Sequence, residues 1–147
     1  MKNNINLPKN SLILTISLVI NPDATMTKIL DVIKLISNFS IYDFPDDDYW
    51  KNKLPRWLLD SLPVLSEQEC QILLDSTPRD LWDTLPWEFG SWLDAIRDRG
   101  WKWHSYIRNE NIAYIILISI DIPERIDALK HIIITAGGNI VNKSYII

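Results

Sequence analysis

The chain is poor in the residue types that most site chemistry needs. Cys70 is the single cysteine in 147 residues, so no disulfide can close within the chain, and a reducing, cytoplasmic setting is expected. There are two histidines, His104 and His131, far apart in sequence, and with one cysteine they supply no zinc-ligand spacing. No Walker loop, dinucleotide fingerprint or Ser/Cys nucleophile signature occurs. No basic, aromatic-interleaved stretch argues for nucleic acid. The apolar run Leu12–Ile20 is too short to span a bilayer. Lys2 and Lys9 precede it as in a secretory signal, but the run is β-branched, is interrupted by Thr15 and Ser17, and ends in Asn21-Pro22-Asp23 without a small-x-small cleavage site. It reads as a strand. These absences lead us to expect no cofactor, no metal and neither a nucleic-acid nor a membrane partner.

What is present is a large apolar fraction, 47% of residues, arranged as two strand–turn–helix units at opposite ends of the chain. That is enough to bury a core without covalent staples, and the length fits a single domain, residues 1–147. In the first unit Leu12–Ile20 is apolar on both faces, as a central strand should be. A helix over about Thr25–Asn38 follows, with Met26, Ile29, Leu30, Ile33 and Ile36 at helical spacing. In the second unit Ile112–Ile120 is again apolar on both faces. A helix begun by Pro123 carries Ile126, Leu129, Ile132 and Ile133, and Gly137-Gly138 ends it as a C-cap, since it follows the helix and so cannot act as a phosphate-binding turn.

Between the units lies an insertion, about residues 40–99, that is acidic and rich in tryptophan. From Asp43 to Asp98 there are thirteen acids against five bases, a net charge of −8, while the rest of the chain carries +4. Tyr42–Trp50 reads as a loop, from its proline and charge run. Ser66 with Glu69 forms a capping box opening a helix to about Asp75. Thr77-Pro78 starts a short helix through Asp83, and a further helix covers about Trp87–Arg99, stopped by Gly100. Trp101–Arg108 then alternates with a period of two, an edge-strand pattern, and Asn109-Glu110-Asn111 turns it into the next strand. The last strand is Asn139–Ile147.

The expected fold is therefore α+β, in the order β-α-(helical insertion)-β-β-α-β. This is the ferredoxin-like split βαβ pattern, a four-stranded antiparallel or mixed sheet with the first and third strands central. Both main helices should lie on one face of the sheet. The other face then needs a cover, which the insertion, a second subunit or a ligand could supply.

Three groups of residues are site candidates. Asp46, Asp47 and Asp48 form an acidic run that lacks the spacing and glycine turn of a calcium loop, so it reads either as a solvated loop or as a patch for a basic protein. All seven tryptophans fall between Trp50 and Trp103. Trp50, Trp57, Trp82, Trp87 and Trp92 include exposed anchors for a partner, or they pack the insertion on the open sheet face. The spacing of Trp92, Ala95 and Ile96 favours packing, whereas Trp50, set among acids, is the least explained by it. Lys102, His104, Tyr106 and Arg108 alternate along one strand and form a candidate strip on the open sheet face, near Thr15 and Ser17; a catalytic histidine there would need an orienting carboxylate, and spacing supplies none.

The acidic, Trp-rich middle from Asp43 to Trp103 resembles, in composition, the surfaces of small bacterial immunity proteins. That resemblance implies a protein–protein inhibitor that binds and neutralises a toxin, such as a basic nuclease domain, by blocking its substrate channel. The contacts it implies are Asp46, Asp47, Asp48, Trp50, Asp80 and Asp83. Two other functions stay open. One is a ferredoxin-like small-molecule regulatory module with a ligand near Asn21–Asp23 or Asp121–Pro123, or between subunits. The other is a small enzyme using the His104 face. The sequence does not set the oligomeric state.

Overall fold

The structure, a computed structural model, describes residues 7–121 and 124–146, apart from the side chain of Asp83. The protein is α+β. Strands β1 (Ser11–Ser17), β2 (Trp101–Asn109), β3 (Ile112–Ser119) and β4 (Asn139–Ile146) form one antiparallel sheet in the order β2-β3-β1-β4. The two most apolar strands, β1 and β3, pair side by side at its centre, because only strands buried on both faces can be apolar on both. β1 stops at Ser17 instead of Ile20: Leu18 is still buried, but Val19 and Ile20 turn out to solvent.

Helices α1 (Pro22–Ser37) and α6 (Asp127–Ala136) cover one face of the sheet. Leu12, Leu14 and Ile16 of β1, with Ala113, Ile115 and Leu117 of β3, share a cluster with Met26, Ile29, Ile33 and Ile36 of α1 and Leu129, Ile132 and Ile133 of α6. The start of α6 falls at Asp127. Pro123, where the sequence places it, lies outside the described residues. Its end is as expected: Gly137 adopts φ +114° and donates from its N–H to the Ile134 carbonyl. A Cβ at Gly137 would meet Thr25 Oγ1 at 3.0 Å, so the chain needs glycine there both for its backbone angle and for the approach of α1.

The insertion contributes four helices: α2 (Asp47–Lys53), α3 (Arg56–Leu59), α4 (Glu67–Ser76) and α5 (Phe89–Arg97), with a 3-10 helix at Arg79–Thr84. It does not cover the open face of the sheet. Trp50, Leu54, Leu58, Leu62, Phe89, Trp92, Leu93 and Ile96 join the cluster on the helix side, and α3 and α5 lie against α6. The result is three layers: sheet, main helices, insertion. Ile13 and Ile116, paired across β1 and β3 on the opposite face, are buried but lie outside that cluster.

Trp92 joins the outer layers. It is fully buried, and its Nε1–H donates to the Ala128 carbonyl at 3.1 Å, so α5 is tied to the first turn of α6 by packing and by a polar bond together. Trp92→Ala should lower the unfolding free energy by about 3–5 kcal/mol, read from denaturant midpoints. A loss below about 1 kcal/mol would mean that the insertion docks without this contact.

Candidate partner-binding site

The structure redistributes the sequence-derived candidates. Tyr42–Trp50 is not all loop: its end winds into α2. Asp46 is the N-cap, with Oδ1 accepting from the Tyr49 N–H at 3.2 Å, and Asp47 and Asp48 occupy the first turn, where acids favour the helix dipole. All three remain exposed or partly so. Trp50 is not an exposed anchor. It is fully buried, its Nε1–H bonds the Pro45 carbonyl at 3.2 Å, and the rings of Phe39, Phe44 and Tyr49 surround it at centroid distances of 5.7, 5.0 and 5.2 Å. An apolar nest under an acidic helix start explains the tryptophan that sequence reasoning could not place. Asp80 is exposed in the first turn of the 3-10 helix, and the Asp83 side chain lies outside the described residues. No hydrogen bond or ion pair among the described residues joins Asp80 to the α2 acids.

The strip Lys102, His104, Tyr106 and Arg108 does not share a face. The β2–β3 register slips between Trp103 and Ser105, leaving His104 as the extra residue of a bulge. Beyond the bulge the alternation inverts. Lys102 pairs with Ile118 on the open face, whereas Tyr106 and Arg108 pair with Ile115 and Ala113 on the helix-covered side. Tyr106 packs near Trp103, and Arg108 Nη1 meets Asp23 Oδ1 of α1 at 2.6 Å. Exposed His104 has its Nδ1 2.8 Å from Ser105 Oγ, and among the described residues no carboxylate bonds it. The face named for an enzymatic role is thus split between two sides of the sheet.

A concave feature lies elsewhere, between α4, the segment from the 3-10 helix to the start of α5, and α6. It is an open groove of about 720 Å³. α4 forms because its start is doubly capped. Ser66 Oγ accepts from the Glu69 N–H at 3.1 Å, and Glu69 Oε1 accepts from the Ser66 N–H at 3.0 Å. The backbone and side-chain bonds from Ser66 hold the Glu69 carboxyl below the usual carboxylate range. Yet none of the ten residues of α4 is buried. Its apolar side chains Leu73 and Leu74 wall the groove, and Ile72 stands out at 58% exposure. Trp82 closes the far side. Its Nε1–H donates to the Thr77 carbonyl at 3.0 Å, and Arg79 stacks over the ring at 5.4 Å. Glu88 caps α5 through bonds from the Gly90 and Ser91 N–H groups at 2.7 and 3.0 Å. α6 presents Ile134, Lys130, Asp127 and His131 to the groove.

His131 Nε2 lies 2.8 Å from Ser61 Oγ and 3.3 Å from Thr135 Oγ1. Ser61 Oγ also lies 2.6 Å from the Leu58 carbonyl, to which its hydroxyl donates. Among the described residues no hydrogen bond joins His131 to the Cys70 thiol, which also lines the groove. The side chains that meet here can bury apolar surface and attract cations; among the described residues the Ser61–His131 contact has no carboxylate bonded to the ring to orient it. Among the described residues, no group of three or more His, Cys, Asp or Glu is placed to hold a metal, and no helix is long and apolar enough to cross a membrane. No family model, no curated protein and no solved structure matches the chain.

Sequence reasoning had Trp82 and Trp87 as candidate anchors but missed Leu73, Leu74 and Ile134. A signal existed: Ile72-Leu73-Leu74 is a lone apolar triplet in an otherwise polar helix, too short to make a core stripe.

Trp50→Ala should cost about 3–5 kcal/mol of stability, measured by chemical denaturation, because it empties a packed nest. A folded Trp50→Ala protein of unaltered stability would return Trp50 to the surface. Burial lowers the pKa of His131 from its ordinary 6.5, so the folded chain holds the ring neutral while the unfolded chain protonates first as pH falls. That contribution is complete above 6.5 and declines as pH drops below it towards the folded value. The carboxylates held low, among them Glu69 and Asp43, act further down the scale. His131→Asn should flatten the stability–pH curve just below 6.5, with an unchanged slope counting against the burial.

Proposed function

We propose that this chain is a protein–protein inhibitor of the immunity type, which binds and neutralises a basic toxin domain in the cytoplasm. One observation carries the reading: the arm formed by α4 and the 3-10 helix is strongly acidic, and α4 keeps none of its side chains in the core. From Ser66 to Ser91 there are six acids against one base, a net charge of −5, together with exposed Ile72, Leu81 and Trp82. Charge of one sign steers a basic partner at a distance, and the apolar groove behind it supplies the surface that holds the partner after encounter. Asp80 belongs to this arm. Asp46, Asp47 and Asp48 form a second acidic patch at the start of α2 that would add to the field without touching the groove. Trp50 drops out of the contact set. We read the sheet as ferredoxin-like, since the order β2-β3-β1-β4 is that pattern taken from its other edge. In this reading the sheet is a platform, and the insertion is the part that binds.

The regulatory-module reading has less behind it. Asp23, in the first strand–helix turn, is engaged by Arg108, and the turn after β3 lies partly outside the described residues. The test is co-expression with the product of the reading frame immediately upstream in its native genome. Growth arrest by that product should be relieved by this chain. The double variant Asp75→Lys/Asp80→Lys should slow association of the purified pair by about tenfold at low salt and flatten its salt dependence. An upstream product that is harmless, or toxic but unaffected by this chain, would sink the reading.

A further inference from the structure

We infer that the groove between α4, the 3-10 helix and α6 is the seat of a single basic amphipathic helix supplied by the partner. This inference rests on the inhibitor reading and names the form in which the partner is recognised. α4 has ten residues, so the wall it offers is about 15 Å long, the length of a partner helix of two to three turns. Facing it, Ile134 of α6 and Trp82 of the 3-10 helix complete an apolar trough with Leu73 and Leu74. The volume of about 720 Å³ is that of a trough taking several large side chains rather than one ring.

The α4, 3-10 and α6 walls are helical, with backbone groups engaged internally, and the remaining wall, Leu85–Glu88, is extended but carries Pro86, which has no N–H to offer. Among the described residues no β-strand edge lines the groove, so side chains dominate the recognition, which is the helix-in-groove mode, with anchors at i, i+3/i+4 and i+7. Asp75 and Asp80 are exposed on the arm, and Glu88 and Asp127 line the trough, against Lys130 and the Trp82-stacked Arg79. A helix carrying Leu or Met on one face and Lys or Arg along its flanks satisfies both features. An acidic helix, or an uncharged small molecule, satisfies only one.

The arm is also held in a manner suited to this use. α4 is capped at its N-terminus by Ser66 and Glu69 and braced by a bond from Gln71 Nε2 to Asp75 Oδ1 at 2.8 Å. Its helical form thus owes little to burial, and it can stand with its apolar side uncovered until a partner covers it.

The test uses the full chain and a synthetic peptide of leucine and lysine with helical phasing. A control peptide of the same composition has its leucines scattered. Tryptophan fluorescence and calorimetry read the binding. The phased peptide should bind saturably, at least about tenfold more tightly than the control. Leu74→Asp and Trp82→Ala, neither in the buried core, should each weaken it about tenfold or more while circular dichroism stays unchanged. Asp75→Lys/Asp80→Lys should weaken it and reduce its salt dependence. Equal binding of the two peptides would overturn the inference in favour of charge alone. So would affinity that survives both Leu74→Asp and Trp82→Ala, or sedimentation showing the groove filled by a second copy of the chain. Co-expression separates the two proposals. Protection from the upstream toxin that persists in Leu74→Asp removes the groove and leaves the inhibitor reading standing. Absence of protection by the unmodified chain removes the inhibitor reading.

Discussion

Burial of α6 on two sides is the constraint from which the rest of the structure follows. An amphipathic helix on a sheet normally has one apolar face and one wet one. Here Ala128, Leu129, Ile132, Ile133 and Ala136 are all buried, and the helix meets the sheet and α1 on one side and α3 and α5 on the other. The bond from Trp92 to the Ala128 carbonyl and the contact of His131 with Ser61 are the polar fastenings between these layers. Because α6 is shared, the insertion belongs to the same core as the sheet. The groove arises where this sharing ends, along the exposed side of α6 that carries Asp127, Lys130 and Ile134.

A second tie sits at the junction of all three layers. Arg99 is almost fully buried, yet among the described residues no carboxylate meets it. Nη1 donates to the Ile96 carbonyl at 2.9 Å, Nη2 donates to the Phe39 carbonyl at 2.8 Å, and the guanidinium lies over the Trp101 ring at 5.4 Å. Ile96 stands in the last turn of α5, where the helix dipole concentrates negative partial charge, and Phe39 follows the C-cap of α1. Two carbonyls and an aromatic face therefore take the place of a counter-ion, and one side chain links the segment after α1 to α5 and β2. Burial lowers its pKa, and Nε is left without a partner, so the arrangement offsets the desolvation only in part.

Much of this fold was legible because the signals were strong and local. Apolarity on both faces marked β1 and β3 as central, the Ser66–Glu69 box marked α4, and Gly137 marked the end of α6. The readings that failed depended on long-range packing or on a one-residue slip. Asp46-Asp47-Asp48 looked like a solvated run, although an acid at the N-cap and acids in the first turn are equally a helix start; α2 became visible only once Trp50 was seen to need a nest. The strip on β2 failed because a bulge at His104 inverts every side chain beyond it, and alternation in sequence has no marker for such an insertion. The groove was hidden for a different reason. Its walls come from segments some sixty residues apart, Leu73 and Leu74 on α4 and Ile134 on α6, and apolar spacing within either helix carries no information about the other.

The bulges in the sheet bear on how this molecule meets others. β2 slips register at His104, and the β1–β4 ladder slips between Thr15 and Ile16, leaving Val141 unmatched, so both outer strands are interrupted. An interrupted rim twists its row of donors and acceptors out of line and makes a poor template for a foreign strand. The apolar centre of the sheet is therefore shielded from end-on fibre growth, and cross-chain hydrogen-bonded ribbons are discouraged at both margins.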